Sequence, residues 1–218
     1  MINGVKLQDS FGMHHEEPLT TSQRMGYGLI ATVFECLIYF SIPFFQWRQA
    51  YILPRSGFDF IIPFDALAII PYISLYFLIL YAFLKSPSSV IPRLCKNICI
   101  VAGIAAFFYF FFPTQIERVD LVMGQDALSQ LVALLYRLDT PFNCFPSQHC
   151  AIAVVCVAAL MDTNKTENCL YFIWGLLIIW STIAVQQHVT IDAVAGTALG
   201  LAIYWLGKRD DQKAIYSS

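Results

Sequence analysis

The chain has 218 residues, of which 58% are hydrophobic, 15% aromatic and 13% charged, with 13 Lys and Arg against 15 Asp and Glu for a net charge of −2 at pH 7. A mean hydropathy of +0.62 excludes an ordinary water-soluble domain, which could not cover that much apolar surface. The small net charge, with basic residues scattered between loops, also excludes a nucleic-acid binder.

Residues 1–25 read as a polar N-terminal tail containing His14 and His15. Apolar blocks follow at 26–46, 61–84, 98–112, 147–161, 170–186 and 190–206. Each approaches the ~20 residues that a helix needs to cross the hydrocarbon core. The fold class predicted is therefore all-α, an integral membrane bundle of about six transmembrane helices over 26–207, with a C-terminal tail over 208–218.

With both termini on one side, nine of the 13 Lys and Arg fall on that side, while Arg48, Arg55, Arg118 and Arg137 fall opposite. Positively charged short loops resist translocation, so both tails are expected in the cytoplasm. The chain does not open with a compact basic region, a short apolar core and a small-residue cleavage site, so the first block is expected to anchor the chain and not to be removed. Glu35 in the first block and Asp65 in the second are acids at membrane depth, where interhelical hydrogen bonding is the expected role and contact with a head group or a place in the cavity lining the alternative.

Seven cysteines form no CxxC pair and no Cys/His ligand spacing, so no metal is expected. Cys36, Cys99 and Cys156 fall inside predicted helices, whereas Cys144 and Cys150 flank a polar segment where an oxidising compartment would permit a disulfide. In the long loop from Pro113 to Pro146, Leu128, Leu131, Val132, Leu134, Leu135 and Leu138 follow helical spacing, with Ser129, Gln130 and Arg137 at polar positions. A helix on the membrane surface and a lid over a site both satisfy that pattern.

His149, in Thr-Pro-Phe-Asn-Cys-Phe-Pro-Ser-Gln-His, starts the fourth block; His188, in Gln-Gln-His-Val-Thr-Ile-Asp, follows the fifth. In a six-helix topology both lie at the outer face, where ionisable groups tend to face a cavity. Asp192 is four residues after His188, so on a helix the carboxylate can orient the imidazole, as a structural pair or as an activated nucleophile. Pro146 and Ser147 suit a first helical turn whose free N–H groups could receive a phosphate, with Ser147 either capping the helix or donating to the anion.

Together, Pro146-Ser147-Gln148-His149 and Ser181-Thr182 followed at the proper spacing by His188 and Asp192 resemble two signature motifs of the type 2 phosphatidic acid phosphatase superfamily. Ile62-Pro63-Phe64, Tyr72 and Phe112-Pro113-Thr114 look like the subgroup related to inositol-phosphorylceramide synthases, so the resemblance spans about residues 58 to 205. It implies a metal-independent double displacement. His188 would be the nucleophile, Asp192 its orienting carboxylate, and His149 the acid towards the leaving alkoxide and then the base towards water or an alcohol. Substrates implied are membrane lipid phosphates, of phospholipid, isoprenoid or sphingolipid type, reached from the periplasmic or lumenal face; no cofactor is implied, and no glycine-rich nucleotide motif suggests ATP. The oligomeric state is not written in any motif.

The sequence departs from the pattern at two cations. Thr182 stands where the family carries arginine, and the first-motif lysine is missing before Arg118, the candidate for that motif's phosphate-binding arginine, where Val119 replaces the usual proline. Arg118 reads equally as a loop arginine paired with Glu117. Fewer cations suit a phosphodiester, and Gln186 and Gln187 are candidate neutral donors in their place. The expected function is a membrane phosphatase or phosphotransferase on lipid phosphate esters. Head-group transfer between lipids, or a non-catalytic transport or assembly role, are the alternatives.

Overall fold

The computed structural model describes residues 18–45, 47–118, 124, 126–139, 141–161 and 166–217. Lys6, His14, His15, Val119 and Lys165, each used in the sequence reading, lie outside the described residues, as does the side chain of Lys213. The described residues form eight α-helices: α1 Thr21–Ser41, α2 Gly57–Ile61, α3 Ile69–Lys85, α4 Ile91–Phe111, α5 Ala127–Leu138, α6 Gln148–Met161, α7 Asn168–Ala184 and α8 Thr190–Ser217. Single-turn 3-10 segments at Ile42–Phe45 and Ala66–Ala68 and a two-residue parallel pair, β1 Tyr51–Ile52 with β2 Thr114–Gln115, complete the described elements.

Local chemistry sets the boundaries. Thr20 caps α1, its hydroxyl accepting from Gln23 N while Gln23 Oε1 accepts from Thr20 N. Arg24 reaches across to the far end of α3, where it donates to the carbonyls of Phe83, Leu84 and Ser86 and to Ser88 Oγ. A cation there satisfies carbonyls that the ending helix leaves free. Pro92 opens α4 in its first turn, where the missing N–H costs nothing, so the third helix starts at Ile91 and not at 98. The Asp65 carboxylate accepts from Leu67 N and caps the 3-10 turn ahead of α3, a local bond where an interhelical one was expected, and the second helix starts later than 61. Glu35 does make one, accepting from Gln148 Nε2 at 2.8 Å.

Helix α6 is the hub, packed against α3, α4, α7 and α8, with α1 bracing α3 and α4. Its small residues, among them Cys150, Ala151, Ala153, Cys156 and Ala159, are buried on every side. Large apolar side chains point outward from the surrounding helices instead: Leu29 and Leu37 on α1, Phe77 on α3, Phe107 on α4, Leu170 on α7 and Trp205 on α8 are all exposed. A surface of that kind is covered by lipid or protein, not by water.

Among the described residues three helices are long and apolar enough to cross a membrane, Ala66–Lys85, Ile91–Phe111 and Thr190–Asp210, against about six expected. Helix α1 has the length but includes Arg24 and Glu35 and a polar first turn. With 14 residues, α6 spans about 21 Å at ~1.5 Å per residue, short of a ~30 Å hydrocarbon core. Most of α6 is packed between four other helices, and Met161 at its end is exposed. Helix α8 runs on to Ser217, so the segment read as a C-terminal tail is helical in its backbone.

The seven cysteines are free, which corrects the Cys144–Cys150 pairing. Cys144 packs with Leu53, Ile116 and Val189, whereas Cys150 sits in the first turn of α6 with its sulfur 3.7 Å from Thr182 Oγ1. The two thiols serve different contacts.

The contact between α6 and α8 is close because α8 presents Gly196 and Gly200. A Cβ on Gly196 would lie 2.1 Å from the Ser147 carbonyl oxygen, and one on Gly200 2.5 Å from that of Ala151. Gly196→Ala is expected to force the two helices apart, lowering stability by about 1–3 kcal/mol as overpacked interiors do. Gly103→Ala, with nothing within 4 Å of its Cβ, should not. Thermal unfolding midpoints of the two variants in one detergent check the contrast.

Candidate active site

The described loop residues 47–68, 112–118 and 141–147, together with the α7–α8 connection, gather at one end of the bundle. There β1 and β2 lie side by side, Ile116 N donates to Pro141 O, and Asp65 N donates to Ala184 O. The motif residues belong to this end.

Ser147 is fully buried. Its N–H donates to Asp192 O at 3.0 Å, and its hydroxyl accepts from Cys150 N at 3.3 Å. Thus Ser147 caps α6 and ties that helix to the start of α8. It is not among the residues lining the cavity described below. Two residues on, His149 lies in the first turn of α6. Its ring stacks on Tyr72 of α3 with centroids 4.2 Å apart, and Nε2 is 3.2 Å from Tyr72 O.

Helix α7 ends at Ala184, and the chain turns sharply at Gln186, whose φ of 57° is in the left-handed region. The N–H groups of Gln187 and His188 both return to Thr182 O. This turn aims His188 at Asp192, whose Oδ2 lies 2.7 Å from His188 Nδ1. Asp192 Oδ1 accepts from Val189 N and Ala193 N, so the fully buried carboxylate is held at the first turn of α8, where a negative charge is favoured. A carboxylate only accepts, so Nδ1 carries the proton and Nε2 keeps its lone pair.

His149 and His188 line one cavity of about 300 Å³. Its polar lining includes Glu35, Asp139, Asn143 and Gln148, and its apolar lining comes largely from α3 and from Leu131, Leu134, Leu135 and Leu138 of α5. Helix α5 therefore covers the cavity, with Val132 buried against Ala68, Ile69, Tyr72 and Val185. Of the two readings of that amphipathic stretch, the lid is the one its packing fits. Asp126 starts α5 by accepting from Leu128 N and Ser129 N.

Arg118 lies beside the cavity and not in its lining. Its guanidinium donates to Tyr136 O, Asp139 O and Gln187 Oε1 and stands 4.3 Å over the Tyr136 ring. Among the described residues, neither Arg118 Nε nor Gln187 Nε2 finds a partner, although both are buried. Glu117 instead offers its carbonyl to a second arginine, Arg55, which also donates to Gln186 Oε1 at 2.8 Å. Gln186 and Gln187 thus act through their oxygens, each holding an arginine next to His188. Thr182, fully buried, turns its hydroxyl to Ile179 O and cannot stand in for the missing arginine.

Sequence reasoning missed Arg55, Asp59 and Asp139. Arg55 lies in the loop before α2 and Asp59 within α2, and hydrogen bonds to Gln186 and Thr190 tie that stretch to the α7–α8 connection. Asp59 accepts from Ser56 N, Ser56 Oγ, Thr190 N and Thr190 Oγ1, which pins α2 to the start of α8.

Burial pushes the Asp59 carboxyl up, but the hydrogen bonds from Ser56 and Thr190 outweigh it and hold the group below its usual range. A depressed carboxyl stabilises the fold above its unfolded value of about 3.9 and loses that contribution as the pH falls through the lower folded value. Asp59→Asn should cost about 1–3 kcal/mol at neutral pH, the typical loss for hydrogen bonds to a buried charge. The difference between variant and parent should shrink in unfolding midpoints taken at strongly acid pH.

A search of curated proteins finds no match for this chain. A family model does match: residues 107–216, half of the chain and the part that contains Arg118, His149, His188 and Asp192, fit the PAP2 superfamily model. The chain belongs to the PAP2 superfamily, whose members are generally phosphatases and phosphotransferases acting on phosphate esters.

Proposed function

We propose that the chain is a membrane enzyme that cleaves or transfers lipid phosphate esters through a phosphohistidine on His188. The observation that carries this reading is the pair of histidines lining one cavity, with His188 fixed through Nδ1 by Asp192 at 2.7 Å. His188 Nε2 attacks phosphorus while the P–O bond to the lipid alkoxide breaks. Asp192 holds the Nδ1 proton and balances the charge that builds on the ring. His149 gives its proton to the departing alkoxide, then removes one from the incoming water or alcohol, whose oxygen displaces His188 from phosphorus. Arg118, backed by Arg55, supplies positive field for the phosphate, and Ser147 holds the turn that presents His149. No step needs a metal or a cofactor.

In this reading the helices alternate in direction across the membrane as six spans, 26–207 form the membrane-embedded domain, and both termini are cytoplasmic. The loop-rich end then faces the periplasm or lumen. The alternation is supported by Arg24 of α1 meeting the last turn of α3, while Tyr39 near the other end of α1 donates to Asp139. Apolar walls from α3 and α5 suit a lipid substrate entering beneath the lid.

Transfer of a phosphorylated head group to another lipid is the second reading. It is favoured by Thr182, buried where the family carries arginine, and by the missing first-motif lysine, which leave the phosphate two cations short of the family pattern and so suit a singly charged diester.

Purified protein incubated with labelled phosphatidate should release phosphate if it hydrolyses, whereas labelled phospholipid diester with a lipid alcohol should give a new labelled lipid if it transfers. Acid-labile label on the protein marks the intermediate. His188→Ala should abolish turnover and label together, and His149→Ala should lower turnover by roughly 10²–10⁴-fold, the usual contribution of a positioned acid–base group. Native activity in a folded His188→Ala protein removes the proposed nucleophile.

A further inference from the structure

One residue of α3 supplies both the hydrogen bond and the ring contact of His149. Its Nε2 lies 3.2 Å from Tyr72 O, and its ring stacks on the Tyr72 ring with centroids 4.2 Å apart and planes 17° from parallel. A carbonyl oxygen only accepts, so Nε2 carries the proton and the neutral ring keeps its lone pair on Nδ1. Turning the ring over would set a carbon against Tyr72 O and lose the bond, which fixes the orientation as well as the tautomer. Nδ1 finds no partner among the described residues, yet it is not one of the buried polar atoms left unpaired there, whereas Oε1 of the neighbouring Gln148 is. His149 lines the cavity with His188, so Nδ1 is the nitrogen that can meet a ligand there. The two histidines hold opposite tautomers: Asp192 takes the Nδ1 proton of His188, and Tyr72 takes the Nε2 proton of His149.

We infer that Tyr72 is a positioning residue for the acid–base step, and that His149 works through Nδ1. The assignment rests on the phosphoryl-transfer reading for the reaction itself. In the first half, imidazolium His149 keeps its Nε2 proton on Tyr72 O and passes its Nδ1 proton to the alkoxide oxygen as the bond from phosphorus to that oxygen breaks. In the second half, Nδ1 takes a proton from the incoming water or alcohol while that oxygen bonds phosphorus and His188 Nε2 leaves. The Nε2 proton never moves, so the ring needs no turn between the halves. The Tyr72 ring adds a second effect. A cation stacked on an aromatic face is attracted to it, which offsets part of the cost of an imidazolium in a site withdrawn from water. Tyr72 lies outside residues 107–216, so the superfamily match does not assign it this task.

Nitrogen NMR of the full-length protein in detergent, with isotope-labelled histidine, reads the tautomers directly, and His149→Gln assigns the signals. At alkaline pH His149 should be protonated at Nε2 and bare at Nδ1, and His188 the reverse. A neutral His149 protonated at Nδ1 overturns the assignment, whatever the activity of the protein. The part played by the Tyr72 ring is read in the first turnover. Tyr72→Leu should slow release of the lipid alcohol from phosphatidate about tenfold, the scale of a cation–π contact withdrawn from water. It should slow release of p-nitrophenol from its phosphate ester far less, because nitrophenolate leaves without a proton. Tyr72→Phe, which keeps the carbonyl and the stack, should restore the alcohol rate. Equal slowing on both esters marks a merely structural role and overturns the part given to the ring. If His188→Ala still turns lipid over, the phosphohistidine reading fails, while the tautomer of His149 is decided by the spectrum alone.

Discussion

Helices α6 and α8 can meet backbone to backbone only because Gly196 faces the Ser147 carbonyl, and the arrangement of the reactive groups follows from that contact. Ser147 N donates to Asp192 O across the junction, so the first turns of two helices that are far apart in sequence begin side by side. His149 sits two residues past Ser147, and Asp192 holds His188. A larger residue at 196 would separate the two histidines without touching either. Interiors of this density transmit such shifts because neighbouring atoms have no free volume to absorb them.

The loop from Val185 to Thr190 is held from several directions at once. Arg55 bonds Gln186, Arg118 bonds Gln187, Tyr136 donates to Val185 O, and Asp59 takes both donors of Thr190. A non-glycine residue at positive φ, as at Gln186, persists where the surroundings over-determine it. Such clamping gives His188 a fixed aim without an arginine on α7. The cations have moved to loops, and the glutamines that face them have become acceptors.

The matched family region ends where much of the cavity wall begins. Residues 107–216 include the histidines, but Glu35 comes from α1 and Tyr72 and its neighbours from α3. In the proposed function the reacting groups lie in the second half of the chain, while Glu35 and the α3 side of the cavity wall come from the first. Helix α5 joins the halves: its leucines line the cavity while Tyr136 and Asp139 touch the loop of Arg118 and His188.

The amino-acid sequence by itself determined the helical, apolar character of the chain, because long apolar blocks have few other solutions. The His188–Asp192 couple was legible as a pair from its i, i+4 spacing, but the structure makes it by another route: His188 lies in the loop before α8, and the turn at Gln186 aims it at Asp192 in the first helical turn. The lid was half legible: the leucine spacing of 128–138 fixes an amphipathic helix, but not what that helix covers. Helix starts at Ile69 and Ile91 were missed because caps and a first-turn proline, not hydropathy, set them. Only the tertiary structure decided that Arg55, Asp59, Glu35 and Asp139 join the site, that Cys144 and Cys150 stay apart, and that Gln186 and Gln187 accept and do not donate. Those are contacts between segments tens of residues apart, and no local period records which of them will meet.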